Sequence, residues 1–272
     1  GFVIPGIDEH FIVQSVDYWA AQDIMFCSGY FKSADSSVKV SKMSAIFAVG
    51  FTTGVIYGEY FIINTDGTFH TSHCGGIAVT PNNIYLSSDE LLYRISIESF
   101  YDCDGIAPSS SNYVHKYVQI IEEIPVPVRS SYCNYSGGYL WVGDFYYVTS
   151  TQNYTVPHGS IEDSSGNTYN AWIVGYIVDE SSPNNEIGTL PDILLGVDDE
   201  IQGCTYNENT QCLFITKSWN RDASASTYIS KLYKFSFTST ALASSWTSKT
   251  SLTFNGETAS IRTFYFNGNS AY

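Results

Sequence analysis

The sequence predicts an all-β fold, and three observations support this prediction. Tyr and Phe are abundant, with 22 and 16 copies among 272 residues, and both favour half-buried strands over helices. Charged residues make up only 14% of the chain, while Ser, Thr, Asn and Gly supply the chemistry of turns. Short alternating apolar runs recur between these turn residues, and no long helical apolar pattern with caps interrupts them.

One strand unit recurs along the chain. Each copy has a first strand, a tight polar turn, a second strand and often a third, and the copies begin near residues 15, 76, 131, 203 and 262. Four of the five turns contain Asn or Gly, which tolerate the positive φ of a tight hairpin. The five predicted turns are Ala21-Gln22-Asp23, Pro81-Asn82-Asn83, Ser136-Gly137-Gly138, Glu208-Asn209-Thr210 and Asn267-Gly268-Asn269.

Two of these copies carry a resemblance to a known family. Residues 75–97 (GGIAVTPNNIYLSSDELLYRISI) resemble a blade of the β-propeller superfamily, which includes bacterial lactonase-like and surface-layer propellers. Residues 201–203 (IQG), leading to residues 214–218 (FITKS), resemble another copy of that blade. The resemblance implies a single β-propeller of about five blades, within a range of four to six, and implies no function.

The last copy is incomplete, because it has a first strand, a turn and only the start of a second strand. We therefore expect another strand to complete the last blade. Residues 1–14 are predicted to be an N-terminal strand segment that closes the ring within its own chain or is donated to a partner, and residues 15–272 are predicted to form the propeller domain. Continuation of the chain beyond residue 272 is the remaining alternative.

Cysteines and glycosylation signals predict a secreted, extracellular or cell-surface protein. Six cysteines, an even number, lack Cys-x-x-Cys spacing and indicate up to three disulfides rather than zinc. Cys204 and Cys212 flank a predicted turn and are the best candidate pair, and the pairing of Cys27, Cys74, Cys103 and Cys133 stays open. Asn134 and Asn153 begin glycosylation sequons. The N-terminal residues lack a charged n-region and an apolar h-region, so we expect any signal peptide to be already removed.

The charge of the chain excludes two classes of partner. The formal net charge is −15, and its Lys and Arg residues form no run, which argues against nucleic acid and against anionic membranes. The uncharged stretch at residues 43–58 contains glycines and threonines, so we predict two strands and a turn rather than a membrane span.

Candidate ligand-binding residues lie where first strands begin or second strands end, because propeller ligands usually bind at the channel mouth. They are Gln14, His73, Asp144, Gln202 and Lys217. The alternative is that they line the channel and bind water and exposed backbone ends. His70 and His73 form the one close His pair, but no third metal ligand is evident, so neither a metal nor another cofactor is predicted. The acidic run at residues 198–200 lacks the spacing of a calcium loop.

No nucleophile elbow, zinc-protease motif or phosphate loop occurs in the sequence. Our leading hypothesis is therefore a non-catalytic extracellular propeller that acts as a structural, adhesive or interaction module, with copies of itself, extracellular matrix or glycan as partners, and that forms a filament or array. The first alternative is a secreted hydrolase or lyase with its site around His73 and Asp144. The second is a glycan-binding lectin that uses exposed Tyr and Trp.

Overall fold

A computed structural model confirms the all-β fold. It describes residues 3–6, 10–32, 42–103, 116–148, 153–219, 229–238 and 247–266. Within these ranges the chain forms strands and one 3-10 helix, Ile97–Cys103. The chain folds into two compact units, residues 1–125 and 126–272.

The first unit contains two sheets. One is a four-stranded antiparallel meander with a fifth strand added at its edge: β1 (Phe11–Trp19), β2 (Ile24–Phe31), β3 (Ser44–Gly50), β4 (Ile56–Ile63) and β8 (Lys116–Gln119). The other has four antiparallel strands: β5 (Gly76–Val79), β6 (Asn83–Ser88), β7 (Leu91–Ser96) and β9 (Glu122–Pro125). Each contains the four antiparallel strands of a propeller blade, of which the sequence repeat predicts the first two or three.

The second unit repeats this organisation. Its larger sheet has the strand order β10 (Tyr132–Ser136), β11 (Tyr139–Gly143), β16 (Ala171–Ile177), β17 (Ile193–Val197), β22 (Glu257–Phe266), β21 (Lys249–Phe254). A three-stranded sheet follows: β18 (Ile201–Asn207), β19 (Cys212–Trp219) and β20 (Ile229–Ser236). Two small hairpins pair β12 (Tyr147–Val148) with β13 (Asn153–Tyr154) and β14 (Ile161–Glu162) with β15 (Thr168–Tyr169).

Both units extend their first meander in the same way. In the first unit β8 pairs in parallel with β4. In the second unit β22 pairs in parallel with β17. Parallel neighbours need a crossover. The connection from β4 to β8 contains β5, β6 and β7 of the second sheet, and the connection from β17 to β22 contains β18, β19 and β20.

The predicted starts of four copies coincide with first strands, namely β1, β5, β10 and β18. The fifth copy differs, because Arg262–Phe266 is the second half of β22 and extends the sheet that begins at β10. Its predicted turn at residues 267–269 lies outside the described residues. The tight turn between β10 and β11 contains Gly137 and Gly138, which both have positive φ, 62° and 73°. A two-residue hairpin turn that matches the right-handed twist of its strands requires positive φ at both positions.

Aromatic and branched side chains fill the space between the two sheets of each unit. In the first unit Phe26, Tyr60 and Phe100 are buried together, with Phe100 contributed by the 3-10 helix. In the second unit Trp141 and Phe237 belong to one buried cluster that also includes Phe264 of β22. The two clusters explain the high aromatic content, since each sheet buries a face against its neighbour.

The predicted disulfide between Cys204 and Cys212 is wrong. Five cysteines have side chains that the structure describes, and all five are buried; Cys27, Cys74, Cys204 and Cys212 are free, and the fifth is Cys133. Cys204 lies opposite Ile215, three residues from Cys212, which corresponds to about 10 Å along the strand and places the two side chains on opposite faces. The thiol of Cys212 donates to the carbonyl of Thr210 instead, at 3.1 Å. The side chain of Cys103 is outside the described set.

Within the described ranges the chain forms no helix with the length and apolarity that a membrane span needs. The uncharged stretch at residues 43–58 contains strand β3 and the start of strand β4, as predicted.

Gly143 tests the packing of the second unit. It pairs with Tyr132 across β10 and β11, and a Cβ there would overlap the Tyr132 ring. We expect Gly143→Ala to lower the free energy of unfolding by about 1–3 kcal/mol, because the buried ring has to move, and urea unfolding measures it. Gly159→Ala is the control, since no atom lies within 4 Å of the place that its added Cβ would take. Equal stability of the two variants would contradict this packing.

Candidate functional site

A polar cavity of about 400 Å³ lies in the first unit. The connection between β4 and β5 supplies most of its wall, and the β6–β7 hairpin, β7 and β9 supply the rest. The lining residues are Asn64, Thr65, Asp66, His70, Thr71, Ser72, Asp89, Tyr93 and Glu123. Amide, hydroxyl, carboxylate and imidazole groups therefore converge on one space.

The backbone of His70 is fixed on both sides. Its N–H donates to the carbonyl of Ile62 at 2.8 Å, and the N–H of Ser44 donates to its carbonyl at 2.9 Å. The imidazole packs edge-on against the ring of Tyr93, with 4.5 Å between the ring centroids. The residue is only 5% exposed. This anchoring gives the imidazole one orientation before any ligand arrives.

Hydrogen bonds define which nitrogen of His70 carries the proton. The amide of Asn64 donates through Nδ2 to Thr68 Oγ1 and to the carbonyl of Phe69, at 3.0 and 3.4 Å, so its Oδ1 faces His70 Nδ1 at 2.7 Å. Because Oδ1 only accepts, Nδ1 donates. In the neutral ring Nε2 is then an acceptor, and Ser72 Oγ lies 2.6 Å from it. The serine hydroxyl donates its proton to His70.

Local geometry brings the serine to the histidine. His70 and Ser72 are two residues apart, and side chains at that spacing in an extended segment share a side. The Ser72 carbonyl accepts from Ser44 Oγ at 2.6 Å. Cys74, which has a positive φ of 48°, places its N–H 3.3 Å and its Sγ 3.4 Å from Ser72 Oγ. The hydroxyl is thus held from both sides.

Three carboxylates make the cavity negative, and its lining contains no Lys or Arg. Asp89 sits at the tip of the β6–β7 hairpin, where Asp89 and Glu90 both have positive φ, 53° and 67°, as in a two-residue hairpin turn. Hydrogen bonds from Thr68 lower the pKa of Asp66. Burial, and then the negative charges of Asp89 and Glu123, raise the pKa of Tyr93 to about 12, so the phenol remains a donor.

Burial lowers the pKa of His70 to about 4, and the negative charge of Asp89 opposes this shift only in part. The imidazole is therefore neutral at physiological pH, in agreement with the hydrogen bonds that it makes. A neutral ring with one fixed donor and one acceptor can take a proton from the serine hydroxyl and return it.

The first unit contains two of the five ligand-binding residues predicted from the sequence. Gln14 is exposed at a β-bulge of β1, between Val13 and Ser15. His73 is exposed and packs on the ring of Tyr30, with 4.9 Å between the centroids. Neither residue lines the cavity, although His73 follows Ser72 directly in the chain.

The second unit contains the other three. Gln202 lies at a bulge of β18, next to Ile201, which pairs with Lys217. The ammonium of Lys217 is 3.5 Å from a carboxylate oxygen of Glu200. Burial raises the pKa of Glu200, and Lys217 acts in the opposite direction. This ion pair links a predicted residue to the acidic run at 198–200.

Asp144, the fifth predicted residue, is completely buried. Its Oδ1 accepts from the N–H of Arg129 at 2.6 Å, and its Oδ2 accepts from the N–H of Trp172 at 2.8 Å and from His158 Nε2 at 2.6 Å. His158 stacks on Trp172, with 3.5 Å between the centroids. These contacts fix the 153–160 segment against β16.

The remaining site predictions concern glycans and metals. Asn153 is exposed in β13, whereas Asn134 is half-buried in β10. Within the described part of the chain no group of three potential metal ligands was found. The sequence pairs His70 with His73, but the structure pairs His70 with Ser72.

Sequence reasoning missed Ser72 and Asn64. The His-x-Ser spacing of residues 70–72 was available as a signal, because alternate residues of an extended segment face the same side. The contribution of Asn64 was not visible, since it depends on the turn at residues 64–68 folding back on the strand.

The histidine in the cavity makes stability depend on pH. The folded pKa of about 4 lies below the ordinary value of 6.5, so the unfolded chain binds more protons between these values. Stability contributed by neutral His70 is present above about pH 6.5 and is lost as the pH falls towards 4, by up to about 3 kcal/mol. We expect His70→Gln to make the free energy of unfolding depend less on pH between pH 4 and 6.5, as measured by urea unfolding from pH 4 to 7.

His73→Gln is the matched control, because this imidazole is exposed. Its free energy of unfolding should change with pH as steeply as that of the wild type. A His70→Gln curve parallel to the wild-type curve would contradict the burial of a neutral imidazole.

Comparisons with known proteins show no family. No protein-family model matches the chain, and no curated protein matches it. Among solved structures it is similar to the hydrazine synthase of Kuenenia stuttgartiensis (10% identity, TM-score 0.37, 84% of this chain and 64% of that one). It is also similar to the Pan2 WD40 domain of Neurospora crassa (9%, 0.36, 85% and 64%) and to an α-L-arabinofuranosidase of Clostridium thermocellum (7%, 0.40, 84% and 69%).

The chain thus spans less than two thirds of the length of the first two of these structures. At such TM-scores the similarities support no inference about function. The β-propeller fold class follows from the strand order of the chain itself, in which consecutive antiparallel meanders form the blades.

Proposed function

We propose that the protein is an extracellular interaction module that binds a neutral, hydroxyl-rich ligand, a saccharide, in the cavity of its first unit. The observation that carries this proposal is the chemistry of the cavity wall. Carboxylates of Asp66, Asp89 and Glu123 accept hydrogen bonds from ligand hydroxyls, and the Tyr93 phenol donates one. The lining contains no Lys or Arg that could pair with phosphate or another anion, and its carboxylates repel them.

Two further features support an extracellular location and a binding role. Asn153 is exposed at the start of its sequon, which makes it accessible for glycosylation. Preformed side chains around the cavity reduce the entropic cost of binding, and His70 is held by hydrogen bonds at its backbone and at both ring nitrogens.

Replacement of Asp89 tests the binding site. Asn tolerates the positive φ of position 89, so Asp89→Asn keeps the hairpin and removes the charge. We expect the dissociation constant for a neutral oligosaccharide, chosen on a glycan array and measured by calorimetry, to rise about 10-fold or more, since hydrogen bonds to charged groups contribute about 1.5–3 kcal/mol.

Glu90→Gln is the control, because Glu90 is the exposed neighbour of Asp89 in the same turn and lies outside the cavity lining. It should bind like the wild type. If both variants bind like the wild type, or if only cationic ligands bind and lose affinity in Asp89→Asn, the saccharide proposal is wrong.

A structural role through self-association is a second candidate, favoured by strand β1. Among the described residues β1 pairs with β2 alone, and Ile12, Val16 and Tyr18 are 36%, 47% and 40% exposed on it. Edge strands with exposed apolar side chains pair with other chains, and a second copy offers an identical strand for antiparallel addition.

Val16→Lys tests this contact, because a charged residue on an edge strand blocks pairing. We expect the wild-type chain to sediment as a dimer or larger species at micromolar concentration and the variant to sediment as a monomer. Val148→Lys, at another exposed valine, should leave the assembly intact. A wild-type monomer under these conditions would refute self-association through β1.

A further inference from the structure

We propose that Ser72 is a nucleophile and that the cavity hydrolyses an ester of its hydroxyl-rich ligand, with His70 as the general base and Asn64 as a positioning residue. This inference rests on the proposed saccharide site and adds a reaction to it. The substrate class is a neutral O-acylated saccharide.

The first support is that the Ser72 hydroxyl donates its hydrogen bond to the imidazole of His70. The Ser72 hydroxyl and His70 Nε2 are 2.6 Å apart, and the Asn64 amide fixes Nδ1 as the donor. A serine that donates to a neutral imidazole, whose other nitrogen is held by an acceptor, is the arrangement in which the base removes the proton as Oγ attacks.

The second support is access. Both Ser72 and His70 line the cavity of about 400 Å³, so a bound ligand reaches the hydroxyl. The other nucleophile at this place is unsuitable, because Cys74 is completely buried and burial raises its pKa to about 11. The thiol therefore remains protonated and inert.

The reaction balances within the groups present and water. Ser72 Oγ forms a bond to the ester carbonyl carbon while its proton passes to His70 Nε2. The bond from that carbon to the sugar oxygen then breaks, and the sugar alcohol leaves with the proton from His70. Water attacks the acyl-serine, gives its proton to His70 and releases the carboxylic acid, and the proton returns to Ser72 Oγ.

Surrounding charges determine the substrate, and the burial of His70 determines the pH range. Asp89 and Glu123 repel an anionic ester, whereas a sugar hydroxyl finds acceptors on them. The pKa of His70, about 4 because of its burial, keeps the base unprotonated in mildly acidic solution. The acid limb of a pH–rate profile is therefore expected near pH 4, rather than near the ordinary histidine value.

Acetate release tests the reaction. The probes are 4-nitrophenyl acetate and a partially O-acetylated xylo-oligosaccharide, with the whole chain as enzyme. We expect Ser72→Ala to lower kcat/KM by about 10²-fold or more, and Ser251→Ala, at an exposed serine of the second unit, to leave it unchanged. A fluorophosphonate reagent should label Ser72, as located by peptide mass spectrometry.

Asn64→Asp tests the positioning role, because a carboxylate at Nδ1 stabilises the protonated ring. The acid limb of its pH–rate profile should move to higher pH, which a structural effect alone would not produce. His70→Gln should lose turnover and keep its fold, monitored by near-ultraviolet circular dichroism.

The binding assay separates the two proposals. If Ser72→Ala still binds the deacetylated oligosaccharide and has lost turnover, both proposals are supported. Binding with equal acetate release by wild type and Ser72→Ala, or labelling at another residue, overturns the nucleophile and leaves the saccharide site. Absence of saccharide binding by the wild type refutes the site and, with it, the inferred substrate.

Discussion

The contact between neighbouring sheets within each unit is the constraint on which the other features depend. Each unit has a first meander and a second sheet, with aromatic side chains buried between them. In each unit a backbone N–H of the second sheet donates a hydrogen bond to a side chain on the first strand of the meander. The N–H of Val79 in β5 donates to Asp17 of β1 at 2.7 Å, and the N–H of Tyr206 in β18 donates to Ser136 of β10 at 2.9 Å. Because the interface is close-packed, the connections that leave it are held in fixed positions.

The cavity in the first unit is a consequence of this packing. The connection between β4 and β5 has to cross from one sheet to the next, and its backbone bonds to β4 and to Ser44 on the way. The second sheet brings Asp89, Tyr93 and Glu123 to the same place. The site is therefore assembled from the β4–β5 connection and the second sheet, and backbone hydrogen bonds to the first sheet hold the connection in place.

Two histidine clusters show how similar groups acquire different roles. His158 and Asp144 form a closed set, in which both carboxylate oxygens are used and the ring is covered by Trp172. That set joins a surface segment to β16. The side chain of His70 is also buried, like that of His158, but its partner is a serine that faces a cavity. The two histidines differ in where their hydrogen bonds lead. Those of His158 lead through Asp144 to buried backbone N–H groups, whereas those of His70 lead to a serine that a ligand can reach.

The sequence by itself determined the all-β class, four first strands and the tight turn after each of these four strands, because alternation, Tyr and Phe content and Asn or Gly at hairpins are local properties. The tertiary structure decided the rest. The register of β18 and β19 placed Cys204 and Cys212 on opposite faces, so proximity along the chain did not produce a disulfide. The crossovers of β8 and β22 and the fold-back of Asn64 onto His70 depend on contacts between residues distant along the chain or on the path of a turn. No residue pattern in one segment encodes them. For that reason the sequence indicated His73, whereas in the structure His70 and Ser72 are the residues that line the cavity.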